Sequence, residues 1–192
     1  MRLTQSEKGI LLLSARESIY SLFDEQRNPS INYKVFPNLS QNYGAFVTLL
    51  QDHHLRGCIG YIYSDQPLFE TVCHAAKLAA TEDPRFPPIE EYELKKIMIE
   101  ISVLSLPQSV KDYNEIQVGV HGIILEEPDA HGVLLPQVAV EQKWNLEDFL
   151  SGICVKSGLE ANTWRYRYLN LSTFTAQVFA EEKHRNVTGE AS

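Results

Sequence analysis

The order in which the chain's apolar periodicity switches between helix and strand constrains its fold most. Thr4-Gln5-Ser6-Glu7 has the form of a capping box, and Ile10, Leu11, Leu12, Ala15, Ile19, Leu22 and Phe23 follow at helical spacing. That pattern predicts an amphipathic helix ending near Gln26, stopped by Asn28-Pro29. Residues 34–42 carry Pro37 and polar side chains and read as loop, with room for a short strand. Residues 44–50 are β-branched and aromatic; Asp52-His53-His54 is the expected turn, and residues 55–63 are the return strand. Asp65-Gln66-Pro67 opens a helix whose apolar face is Leu68, Val72, Ala75, Ala76 and Ala79, ending near Thr81, with Asp65 near its cap and Pro67 in its first turn.

The second half shows no internal repeat of the first. Residues 90–96 make a polar helical turn, and residues 97–104 a strand that Pro107 ends. Residues 118–125 and 133–135 form a hairpin about the turn at 127–132; Pro136 ends it, and a helix starts within 138–142. Asn145 caps the next helix, with Phe149, Leu150, Ile153 and Cys154 inward and Gly158 at its left-handed stop. Residues 173–180 are a closing strand, and the charged tail after it is expected to fray over 183–192. Helix, hairpin, helix, strand, hairpin, helix, strand lacks the βαβ alternation of a doubly wound sheet. It predicts an α+β fold with mostly antiparallel sheets flanked by helices, as a single domain over residues 1–182.

The stretch with most chemical content is Leu55-Arg56-Gly57-Cys58-Ile59-Gly60. Glycines at 57 and 60 permit close backbone approach around a thiol, and an arginine two residues earlier can favour a thiolate if it folds over the sulfur. The alternative is an inert cysteine in a bend between strands. His121, between glycine-containing β residues, is the candidate base. Glu100, between Ile99 and Ile101, faces away from their core and is either solvated or an acid/base group. Asp83 and Arg85 are expected to pair and brace their loop; Arg85 could instead hold an anionic group. His53, His54, Cys58, Cys73 and His74 offer zinc-type ligands at no common spacing, so no metal is expected. The chain has no P-loop, GxGxxG or GxSxG pattern, and no cofactor is implied. Trp164-Arg165-Tyr166-Arg167-Tyr168 could stack bases, or could simply pack its rings under arginine stems.

Charge weighs against that nucleic-acid reading. The net charge is −8, which repels phosphate backbones and anionic lipid, so neither nucleic acid nor membrane is an expected partner. Three cysteines without a CxxC pair argue against a disulfide framework, and with no leader-like N-terminus or long apolar run a cytoplasmic protein is expected.

The glycine-flanked thiol stretch also carries a family resemblance. It is followed, in order, by Asp83-Pro84-Arg85-Phe86-Pro87-Pro88, Val118-Gly119-Val120-His121-Gly122-Ile123 and Leu134-Leu135-Pro136-Gln137-Val138-Ala139, then Glu141 and Trp144. Together these resemble the AMMECR domain family, in its bacterial and archaeal form, over residues 6–181. The resemblance implies an α+β domain of two closely packed subdomains with the thiol near a groove. It also implies a pathway shared with Memo-like and radical SAM proteins, while assigning no activity. Two functions follow. In one, Cys58 is a nucleophile or redox thiol tuned by Arg56 and His121, acting on a small molecule or modified side chain. In the other, a binding module holds a small molecule or peptide against Gly57, Gly60, Arg85, Glu100, Pro136 and Gln137, with Cys58 inert. A nucleic-acid regulator ranks last.

Overall fold

The computed structural model describes residues 2–182, and the expected fraying of 183–192 lies outside them. Eight strands, β1 (Ala45–Gln51), β2 (His54–Tyr61), β3 (Ile97–Leu104), β4 (Gln108–Ser109), β5 (Gly122–Glu127), β6 (Ala130–Leu134), β7 (Leu171–Phe174) and β8 (Ala176–Ala180), form two four-stranded sheets of order β2-β1-β3-β8 and β4-β7-β5-β6. Five helices accompany them: α1 (Gln5–Tyr20), α2 (Leu68–Thr81), α3 (Pro136–Glu141), α4 (Leu146–Lys156) and α5 (Thr163–Tyr166). The class is α+β. The chain divides into two compact units, one of Met1–Ser102 with the segment from Val178 on, the other of Val103–Gln177.

In the first unit, Thr4 caps α1 through the expected reciprocal box with Glu7. The helix stops at Tyr20 rather than near Gln26. Leu22 and Phe23 donate to carbonyls three residues back, which tightens the chain into turns, and both side chains stay exposed. Residues 37–40 form a 3-10 turn instead of a strand. Pro67 takes the N-cap position of α2, one place before the expected first turn, and no side chain caps that end. Ala45, Val47 and Leu49 alternate inward on β1, where α2 packs against both strands of the hairpin, and Ile97, Ile99 and Ile101 alternate inward on β3. Arg16 of α1 is held by Glu181 just beyond β8 and donates to the Leu94 and Ile97 carbonyls.

The second unit has its own core, in which Ile123, Leu125, Leu134, Phe149, Leu150, Ile153, Leu169 and Leu171 are buried together. Asn145 caps α4 in a full capping box with Asp148, and Gly158 ends it at φ +77 as expected. Three expectations are corrected here. Residues 118–120 are a turn, with Gly119 at φ +84, so the strand begins at Gly122. The helix after β6 starts at Pro136 itself, whose missing N–H costs nothing at a first helical position. The closing strand is two strands in different sheets, parted at Thr175.

Candidate functional site

The β1–β2 hairpin turns on Asp52 and His53, both in the left-handed region at φ 50 and 66, so His54 is already in β2. Pairing runs Gln51↔His54 and Leu50↔Leu55, then resumes at Leu49↔Gly57 and Thr48↔Cys58. Arg56 is therefore the extra residue of a β-bulge. A bulge re-aims its side chain and breaks the alternation that would stack residue 56 over residue 58. The Arg56 guanidinium goes to Glu93, with Nε–Oε1 2.8 Å and Nη2–Oε2 3.0 Å, and to the Pro87 and Pro88 carbonyls at 2.9 and 3.4 Å. The pair is nearly dry, with side-chain exposures of 14% and 9%, and the Arg56 guanidinium, helped by the Glu90 amide and opposed by burial, holds the Glu93 carboxyl below its usual range. Lysine keeps the charge but not the fork, so Arg56→Lys is expected to cost about 1–2 kcal/mol in urea unfolding.

Cys58 is gripped instead by the loop after α2. Its N–H donates to Asp83 Oδ2 at 2.8 Å, and its carbonyl accepts from Arg85 Nη2 at 3.5 Å. Asp83 in turn takes Arg85 in a bidentate pair at 2.9 and 2.7 Å and caps the Arg85 amide at 3.1 Å. The Arg85 guanidinium, followed by the backbone bonds from Cys58 and Arg85, holds the buried Asp83 carboxyl far below the ordinary carboxylate range against the opposing effect of burial. The expected Asp83–Arg85 brace thus exists, and it clamps the thiol's own peptide unit. The thiol is half-buried, and its sulfur accepts from Thr48 Oγ1 at 3.3 Å.

Both glycines are sites of close approach. A Cβ on Gly57 would lie 2.1 Å from the Ala79 carbonyl oxygen of α2, and one on Gly60 would lie 2.3 Å from the Ala45 oxygen and 2.6 Å from the Phe46 ring. Glu100 is half-buried in β3, out of step with the buried Ile99 and Ile101. These residues all belong to the first unit. His121, Pro136 and Gln137 belong to the second. His121 Nδ1 accepts from the Gln117 amide at 3.1 Å, closing the turn before β5, and Pro136 and Gln137 open α3.

Thr48 and Glu93 were not singled out by the sequence. Thr48 is ordinary strand composition, and Glu93's only local sign is its place three residues after Glu90, whose amide it accepts at 2.8 Å. Of the other groups considered, His74 bonds and stacks on Tyr61. Among the described residues no three histidine, cysteine or acidic side chains are arranged to hold a metal. Arg167 is forked onto Glu127, Arg165 pairs with Glu147 over the Trp164 ring, and Tyr168 stacks on Tyr113. Arg165, Tyr166, Arg167 and Tyr168 are all exposed, and both arginines are paired with carboxylates. No described helix is long and apolar enough to cross a membrane.

A family model described as AMMECR1 matches residues 12–179. A protein of Thermofilum pendens is 41% identical, over 94% of this chain and 92% of its own. One of Methanopyrus kandleri is 39% identical, over 95% of this chain and 92% of its own. The crystal structure of an uncharacterized protein from Pyrococcus horikoshii superposes with a TM-score of 0.80 at 36% identity, covering 90% of each chain.

Proposed function

The chain belongs to the AMMECR1 family, and we propose that it is a binding module whose recognition surface is the rigid platform around Cys58. The observation that carries this reading is the fate of the nearby cations. Arg56 and Arg85 are neutralised by Glu93 and Asp83 and tie β2 to residues 83–88. Those bonds fix a backbone shape in advance, which lowers the cost of ordering on binding. They offer the sulfur no unpaired cation. The ligand is a small molecule or a peptide, met in a pathway shared with Memo-like and radical SAM proteins; the support for that setting is the family resemblance.

Thiol chemistry at Cys58 is the second reading, favoured by the half-buried sulfur and its bond from Thr48. Alkylation rates of each cysteine against pH, read by peptide mass spectrometry, separate the two. Burial pushes the Cys73 thiol up to about 11 and raises that of Cys154, so both should label slowly in the folded protein. Cys58, which is half-buried, should label first in the folded protein. A Cys58 rate already at its plateau at pH 6 would mark a standing thiolate and overturn the binding reading.

A further inference from the structure

We infer that the outer edge of β2 at Gly60 is a strand-addition site for an extended, basic segment of a partner protein. The inference rests on the platform reading above. β2 is an edge strand, and its register fixes which peptide groups face outward. In an antiparallel pair these belong to the residues not hydrogen-bonded to the neighbour, and they recur every second residue. The Cys58 N–H points outward to Asp83, so Gly60 is the next residue whose N–H and C=O face out. Outside the sheet ladder, no backbone hydrogen bond to either group is found among the described residues.

The two positions are treated differently. At Cys58 a carboxylate and a guanidinium stand where a neighbouring strand's carbonyl and amide would lie, and they close the edge. At Gly60 the edge lacks the devices that usually block pairing, having neither a charged side chain nor a proline. An extended backbone presents a donor and an acceptor at the spacing that Gly60 requires. Such a strand would abut Arg85 at one end. Charge sets its composition. Arg56 and Arg85 are already neutralised, while exposed Glu82 adjoins the Asp83 that holds Cys58 and exposed Asp65 follows the end of β2 by four residues, on a chain of net charge −8, which favours lysine and arginine in the added strand over acidic residues.

A side chain at residue 60 would clash with Ala45 and Phe46, so the test alters the ligand and leaves the protein intact. Random short peptides displayed on phage are selected against the full chain, and the best is made as a fluorescent peptide. Binding is measured by polarisation, for that peptide and for versions N-methylated at alternate residues or with its basic residues replaced by glutamate. Hydrogen exchange of the Gly60 amide and alkylation of Cys58 are followed with and without peptide. The expected result is a basic peptide that slows both, and that loses affinity about tenfold or more on N-methylation in one of the two alternating registers and on the glutamate replacement. A peptide that protects Cys58 but tolerates N-methylation, or leaves the Gly60 amide unprotected, overturns strand addition and leaves the platform standing. Recovery of no peptide, or only of peptides that leave both sites unchanged, overturns strand addition; if small-molecule ligands also leave Cys58 labelling unchanged, the platform reading falls with it.

Discussion

Asp83→Ala is expected to lower the unfolding free energy at pH 7 by about 3 kcal/mol, seen as a lower urea midpoint with little change in slope. The loss has several parts. The buried carboxylate accepts from the Cys58 amide, the Arg85 amide and the Arg85 guanidinium, and its removal leaves the Cys58 N–H without an acceptor. Arg85 itself is 54% exposed, so water screens the ion pair and the backbone bonds supply most of the effect. Asp83→Asn keeps the shape and loses the charge, and should cost about 1–2 kcal/mol. The sign of the pH dependence follows from the depressed carboxyl. Its contribution is complete above the unfolded aspartate value of about 4 and is lost as pH falls through the lower folded value. The gap between wild type and Asp83→Asn should therefore be constant from pH 5 to 7 and narrow below pH 4. A gap that widens with acid would refute the clamp as the source.

Gly57→Ala is expected to be worse, costing about 3 kcal/mol or more and depleting soluble protein on expression. The added methyl would meet a main-chain oxygen, Ala79 O at 2.1 Å, which no rotamer change can move aside. Relief requires α2 to lift from β2, and that would open the core formed by Val47, Leu49, Val72, Ala75 and Ala76. Gly158→Ala gives a contrast, since a Cβ there meets nothing within 4 Å and only the φ of +77 opposes it. That change should cost about 1 kcal/mol. Thermal unfolding of the two variants side by side checks the ranking.

Much of the fold follows from periodicity and caps. The box at Thr4 and Glu7, the cap at Asn145, the left-handed stop at Gly158 and the alternation through residues 97–101 are local, because their partners lie within a few residues. The misses share a cause. Leu22 and Phe23 continue the helical spacing of α1, yet they lie past its end and remain exposed. Residues 171–180 read as one strand, and pairing with two different sheets is what divides them at Thr175.

The candidate site divides in the same way. Sequence alone marked Cys58 with its flanking glycines, paired Asp83 with Arg85, and set Glu100 opposite its isoleucine neighbours, because each follows from composition, short spacing or strand alternation. Where Arg56 points depended on a bulge, and a bulge exists only once β1 fixes the register of β2. Its partner Glu93 lies 37 residues away, and the loop that grips Cys58 lies 25 residues away. Contacts at such separations are set by which surfaces the packed sheet and helices bring together, so no local pattern encodes them. The thiol stretch was therefore legible as a special place, but only the tertiary structure turned its arginine from a tuner of sulfur into a brace of backbone.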